Sequence, residues 1–179
     1  VSLPRGGLFT GDKMARFVKK FIGDQLIEDL TLPYAAVAVD LGSGAEMWLK
    51  NGSLLTAIRA SSAIPGVFRP ILVGNRWLAD GGLACPLPLE AAGALSNLPI
   101  VAVDLNAIES DRGAGPLPPA DSSEAAPSNP GFVNALGSGL AIVCNHLTQA
   151  HLAQNPPALL LQPKLAKHGL FDVSAVDVS

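Results

Sequence analysis

Residues 34–40 and 100–104 are short apolar runs that end in aspartate, Asp40 and Asp104, and they do most to limit the folds open to this chain. Neither run alternates polar with apolar side chains, so each has the character of a strand buried on both faces. Such strands need helices to cover them. Helical periodicity is present in the right places: Met14, Phe17, Val18, Phe21 and Ile22 form one apolar stripe that Gly23 stops, while Lys13, Arg16, Lys19 and Lys20 lie elsewhere on that helix as a solvated face. Ser53 has the position of an N-cap for a helix through Leu54, Leu55, Ile58 and Arg59. Buried strands alternating with helices predict an α/β domain.

Turn signals divide the rest. Residues 46–49 follow a Gly42-Ser43-Gly44 turn and are expected to pair antiparallel with the first strand. Residues 70–73 and 76–79 read as a hairpin closed by Gly74-Asn75. A small alanine-rich helix is predicted over 89–95, a long helix from Gly131 to about Ala153, and a short strand over 158–161. Hairpins inserted between buried strands make the expected sheet mixed rather than purely parallel.

The second half of the hairpin runs into Asp80-Gly81-Gly82. A carboxylate at a strand end, followed by two residues without side chains, can face a cleft that another group approaches closely. Read alone, Asp-Gly is a common turn dipeptide. The longer pattern says more: Ala60-Ser61-Ser62-Ala63-Ile64-Pro65-Gly66-Val67-Phe68, a strand, Asp80-Gly81-Gly82, then Pro86-Leu87-Pro88 and the 100–105 strand. Together with the 7–41 segment and its Ala36-Val37-Ala38-Val39-Asp40 strand, this resembles the patatin-like phospholipases, in particular the bacterial patatin-like serine hydrolases.

The resemblance implies a three-layer α/β/α fold with a mixed sheet, and hydrolysis of a carboxylic ester by a Ser-Asp dyad without cofactor or metal. It places the catalytic aspartate at Asp80, with Gly81, Gly82, Ser61, Ser62 and Pro65 around the cleft. The nucleophile of such enzymes sits in a Gly-x-Ser-x-Gly elbow, upstream of the region matched here. No serine in this chain has glycine at both flanking second positions, and no Gly-x-Gly-x-x-Gly occurs. The chain therefore reads as the downstream part of one catalytic domain, its N-terminal part missing, spanning 1–179 with a Pro-, Ala- and Ser-rich linker over 107–130. Lipid or another ester is the implied substrate.

Composition narrows the partners. A net charge of −3 gives no general attraction to nucleic acid, and no apolar run has the length of a membrane span. Residues 125–163 contain no Lys, Arg, Asp or Glu, which suits either a packed helix or a peripheral membrane contact. Cys85 and Cys144 lack metal spacing and are read as free thiols of a cytoplasmic protein.

Other residues leave alternatives open. His146, His151 and His168 lie downstream of Asp80, in the chain order of an α/β-hydrolase triad. Ser61 and Ser62, at a helix end, are expected first to hydrogen-bond free backbone groups there. Asp40 and Asp104 end strands that border a crevice if the sheet is parallel, but capping the following turn is the expected role. A non-catalytic lipid- or partner-binding module also fits the pattern, as does a fragment without activity of its own.

Overall fold

A computed structural model describes residues 10–105 and 131–163. Helix α1 (Asp12–Ile22) is followed by strands β1 (Ala36–Asp40) and β2 (Glu46–Leu49), helix α2 (Leu54–Ser61), and the hairpin β3 (Ile71–Val73) and β4 (Arg76–Asp80). Helix α3 (Leu89–Gly93), strand β5 (Val101–Val103), helix α4 (Gly131–Gln154) and strand β6 (Leu159–Leu161) complete the order. The 107–130 linker, His168 and the side chains of Phe132 and Val133 lie outside the described parts.

The chain is α/β, with antiparallel and parallel pairings divided between two sheets. The larger has four strands in the order β2-β1-β4-β3, every neighbour antiparallel, and the smaller pairs β5 with β6 in parallel. All five residues of β1 are buried. Ala38 and Leu78 share a face and pack under Ala60 of α2. Val37, Val39 and Ala79 point the other way and are buried too. Toward that second face the chain after β4 folds back: Gly81 lies on the Val37 backbone and Cys85 lies beside Glu46. Helix α4 is tied to this segment through Cys144 and His151.

Local chemistry accounts for the boundaries. Ser53 caps α2, its Oγ accepting the Thr56 amide at 3.3 Å, a contact of a kind that contributes about 1 kcal/mol. Gly23 ends α1 with φ near 64°, a conformation that costs glycine little. Leu78, 1% exposed, is the largest of the fully buried side chains, and burying such a leucine is worth roughly 2–3 kcal/mol.

Two expectations need correction. The second aspartate-terminated run forms a strand buried on one side only: Ala102 is buried, whereas Val101 is 58% and Val103 48% exposed. Their partners Leu159 and Leu161 share that open face, because among the described residues the two-stranded ladder carries helix and loop on one side alone. The stripe on α1 also divides. Ala15 is buried and Met14, Val18 and Ile22 are half-buried, but Phe17 and Phe21 point outward.

Candidate active site

Asp80 is the last residue of β4 and the N-cap of a short 3₁₀ turn, Gly81–Leu83. Its Oδ1 accepts the Gly82 amide at 2.8 Å, which fixes one carboxylate oxygen. Its own amide donates to the carbonyl of Ala63 at 3.1 Å, so the loop after α2 is bound directly to the strand end. The turn is pinned from the other side as well, the Cys144 thiol donating to the Gly82 carbonyl at 3.2 Å.

Two glycines make this geometry available. A Cβ on Gly81 would lie 2.5 Å from the carbonyl oxygen of Val37, so the turn can sit on β1 only without a side chain. A Cβ on Gly82 would come within 3.1 Å of the Asp80 Oδ1. The Asp-Gly-Gly sequence thus brings a carboxylate to a strand end and leaves its surroundings clear.

A cavity of about 300 Å³ opens at this point, a volume at the lower end of small-ligand pockets. Ser61, Ile64 and Pro65 line one wall and Leu83, Cys85, Pro86 and Pro88 another. Gly137, Leu140, Ala141 and Cys144, spaced three and four apart on α4, form a third. Asp80 is the one charged residue among those that line it. Burial in these apolar surroundings raises the Asp80 pKa, and the Gly82 amide offsets part of the rise. The carboxylate is therefore a better proton acceptor than an ordinary aspartate.

The structure brings Ser61, Pro65, Gly81 and Gly82 together around Asp80, as the sequence pattern suggests they should meet. Ser62 faces away: it is the C-cap of α2, and its Oγ donates to the Ile58 carbonyl at 2.6 Å. The α4 wall is not signalled in the sequence. Nothing in a helix without charge says which residues look into a cleft formed some 60 positions earlier in the chain.

The remaining candidates lie elsewhere. Asp40 ends β1 and sits opposite Leu78, two register positions from Asp80, but it is not among the residues lining the Asp80 cavity and borders a separate hollow with Arg76 and Trp77. Asp40 accepts the Gly42 amide at 3.0 Å and the Ser43 hydroxyl at 2.9 Å and pairs with Arg76 at 2.8 Å. The Gly42 amide first, with Ser43 and Arg76, holds its pKa below the usual carboxylate value. It caps a turn. Asp104 is buried and accepts Gln162 Nε2 at 3.1 Å, beside the β5–β6 ladder.

Neither His146 nor His151 is among the residues lining the cavity. His151 Nδ1 instead lies 3.2 Å from the Cys85 sulfur, a spacing that superficially suggests a Cys-His nucleophile. The thiol argues otherwise. Burial, with the Glu46 and Glu90 carboxylates, pushes Cys85 up to about 12, so it stays protonated and serves as a structural donor. Cys144 is also raised, by burial first and then by the Asp80 charge. Both cysteines are free.

Comparison with known proteins decides the family. The Patatin family model, described as patatin-like phospholipase, matches residues 2–92, or 91 of the 179 residues. The chain belongs to the patatin-like phospholipase family. An uncharacterized NTE family protein of Mycobacterium tuberculosis is 42% identical over 115 residues, which is 64% of this patatin-like chain and 31% of the relative. A second NTE family protein of the same organism is 28% identical over 192 aligned positions, covering 99% of the chain and 32% of the relative. The patatin-like phospholipase domain-containing protein 6 of Mus musculus is 32% identical over 107 residues, 59% of the chain and 8% of that protein. The chain spans about a third of the length of the mycobacterial relatives. Among its described residues no helix is long and apolar enough to cross a membrane.

Proposed function

We propose that the whole protein hydrolyses a carboxylic ester of a lipid acyl chain, with Asp80 as the general base of a Ser-Asp dyad. The observation that carries this reading is the Asp80 carboxylate itself: one oxygen held by the Gly82 amide, its pKa raised by burial, in a cavity whose other lining residues carry no charge. Family membership supports lipid hydrolysis at the level of the family. In this reading residues 1–179 belong to one catalytic domain, with 107–130 a connecting segment inside it. The nucleophile is a serine of the Gly-x-Ser-x-Gly type, which this stretch of sequence does not contain.

The chemistry follows from a base of this kind. Asp80 takes the serine hydroxyl proton as the oxygen attacks the ester carbonyl carbon. The bond to the leaving alcohol then breaks, and Asp80 returns the proton to that alcohol. In the second half Asp80 deprotonates a water that attacks the acyl carbonyl carbon, the bond from that carbon to the serine oxygen breaks, and Asp80 returns the proton to the serine oxygen as the carboxylic acid departs. The apolar walls, Ile64, Pro65, Leu83 and Leu140 among them, would take the acyl chain and keep bulk water from the carboxylate.

Reaction of the whole protein with a fluorophosphonate, alongside turnover of p-nitrophenyl esters, tests the reading. Covalent labelling of one serine with parallel loss of turnover is expected. A protein that binds lipid but neither turns over esters nor takes the label would instead be a binding module.

A further inference from the structure

We propose that α1 seats on an anionic lipid surface through Phe17 and Phe21. Phe17 is 61% and Phe21 75% exposed, their rings in edge-to-face contact with centroids 5.0 Å apart. They stand four residues apart, so they make one outward apolar ridge rather than two scattered side chains. The core side of the helix is filled separately, by Ala15 with Met14, Val18 and Ile22.

Charge beside the ridge selects the partner. Lys13 and Lys20 stand four residues before and three after Phe17, and Arg16 lies between them on the next row, so a basic stripe runs along the aromatic one. None of these three has an ion pair among the described residues. The nearby charges are engaged otherwise: Lys19 with Asp24 at 2.6 Å, and Asp12 with Arg59 at 3.4 Å. The chain as a whole carries −3, so this basic stripe is local. Aromatic side chains flanked by cations with long apolar stems are matched by a bilayer interface, where rings enter the acyl boundary and cations reach lipid phosphates.

Arg59 donates to the Thr10 carbonyl at 3.4 Å, and Gly11 packs near the Phe68 ring. The start of α1 is thereby anchored to the end of α2 and to the loop after it, of which Ser61, Ile64 and Pro65 line the Asp80 cavity. Helix α4, the uncharged candidate for lipid contact, turns Leu140 and Ala141 into the cavity and leaves Leu136, Ile142 and Val143 exposed, but it carries no cation beside them. The choice of lipid as partner rests on the lipid-hydrolase reading; the surface does not.

Vesicle binding without turnover separates the two. Sedimentation of the whole protein with phosphatidylcholine vesicles, pure or mixed with phosphatidylglycerol, should show binding to the mixed vesicles that weakens with salt. Phe17→Ser with Phe21→Ser should lower the partition at least ~10-fold, and Lys13→Glu with Lys20→Glu should remove the preference for the anionic vesicles. Both variants should melt like the wild type and turn over a soluble short-chain ester at its rate. Absence of wild-type binding, or unchanged binding by the phenylalanine variant, overturns the proposal. So does a phenylalanine variant that melts well below the wild type, which would put polypeptide rather than lipid over the ridge. Vesicle binding without ester turnover would leave the proposal standing and remove the hydrolase reading.

Discussion

The amide of Asp80 donates to the carbonyl of Ala63 at 3.1 Å, and this bond joins the Ser-Ser-Ala-Ile-Pro-Gly loop to the Asp-Gly-Gly strand end. The two segments are separated by the β3–β4 hairpin, yet they form adjoining walls of one cavity. The arrangement depends on close backbone approach at three successive residues: Asp80 to Ala63, Gly81 to Val37, and Gly82 to the Asp80 carboxylate.

The two glycines should therefore differ in what they cost. At Gly81 a methyl would meet the Val37 carbonyl carbon and oxygen at 2.7 and 2.5 Å, backbone atoms of a central strand that cannot move aside cheaply. Gly81→Ala is expected to lose about 1–3 kcal/mol or more in denaturant unfolding, with activity lost alongside. Gly82→Ala meets the Asp80 Oδ1 at 3.1 Å, which can yield by tenths of an ångström. It should keep most of the stability while lowering kcat by displacing the base.

Gly137 offers a test of the α4 wall. Glycine inside a helix costs about 1 kcal/mol against alanine, and a Cβ here would meet no atom within 4 Å. The fold has no use for that space, whereas the cavity does. Gly137→Leu should remain folded, lower kcat/KM for long-chain p-nitrophenyl esters roughly 10-fold, and leave the shortest ester little changed. An unaltered chain-length profile in an active protein would show that acyl chains do not run along α4.

Asp40 and Asp80 should respond to pH with opposite sign. The Asp40 pKa is lowered by the Gly42 amide, Ser43 and Arg76, so its ionised form supports the fold above the unfolded value of about 3.9 and that support fades as pH falls through the lowered value. The Asp80 pKa is raised by burial, so its ionised form weakens the fold from about 3.9 upward through the raised value. At neutral pH Asp40→Asn should melt below the wild type and Asp80→Asn above it. The Asp80→Asn difference should be gone below about pH 4, where the wild-type carboxyl is protonated in both states, and the Asp40→Asn difference only further down. Melting curves at several pH values give both signs in one experiment.

Much of the fold and of the site was legible because local rules govern it. Continuous apolarity marked β1, Ser53 marked the start of α2, and Gly74-Asn75 closed the β3–β4 hairpin across two residues. Asp80 stood out because two glycines follow it. What escaped were the relations between elements. Periodicity tells which residues share a face but not what covers that face, so Phe17 and Phe21 read as core with Val18 and Ile22, and Val101 and Val103 read as buried. The antiparallel pairing of β1 with β4 joins strands about 40 residues apart and sets Asp40 opposite Leu78, where it pairs with Arg76 and stays out of the Asp80 cavity. Without it both aspartates could border one crevice.

The most direct test is kcat of the whole protein carrying Asp80→Asn on a soluble short-chain ester, beside His146→Ala, His151→Ala and His168→Ala. Asparagine preserves shape and can still accept the Gly82 amide, so only basicity is removed. With Asp80 as the general base, kcat should fall by about 10²–10⁴-fold in that variant, while each histidine variant keeps most of its activity. Full activity of Asp80→Asn, or a comparable loss in any one histidine variant with its fold intact, would contradict the account.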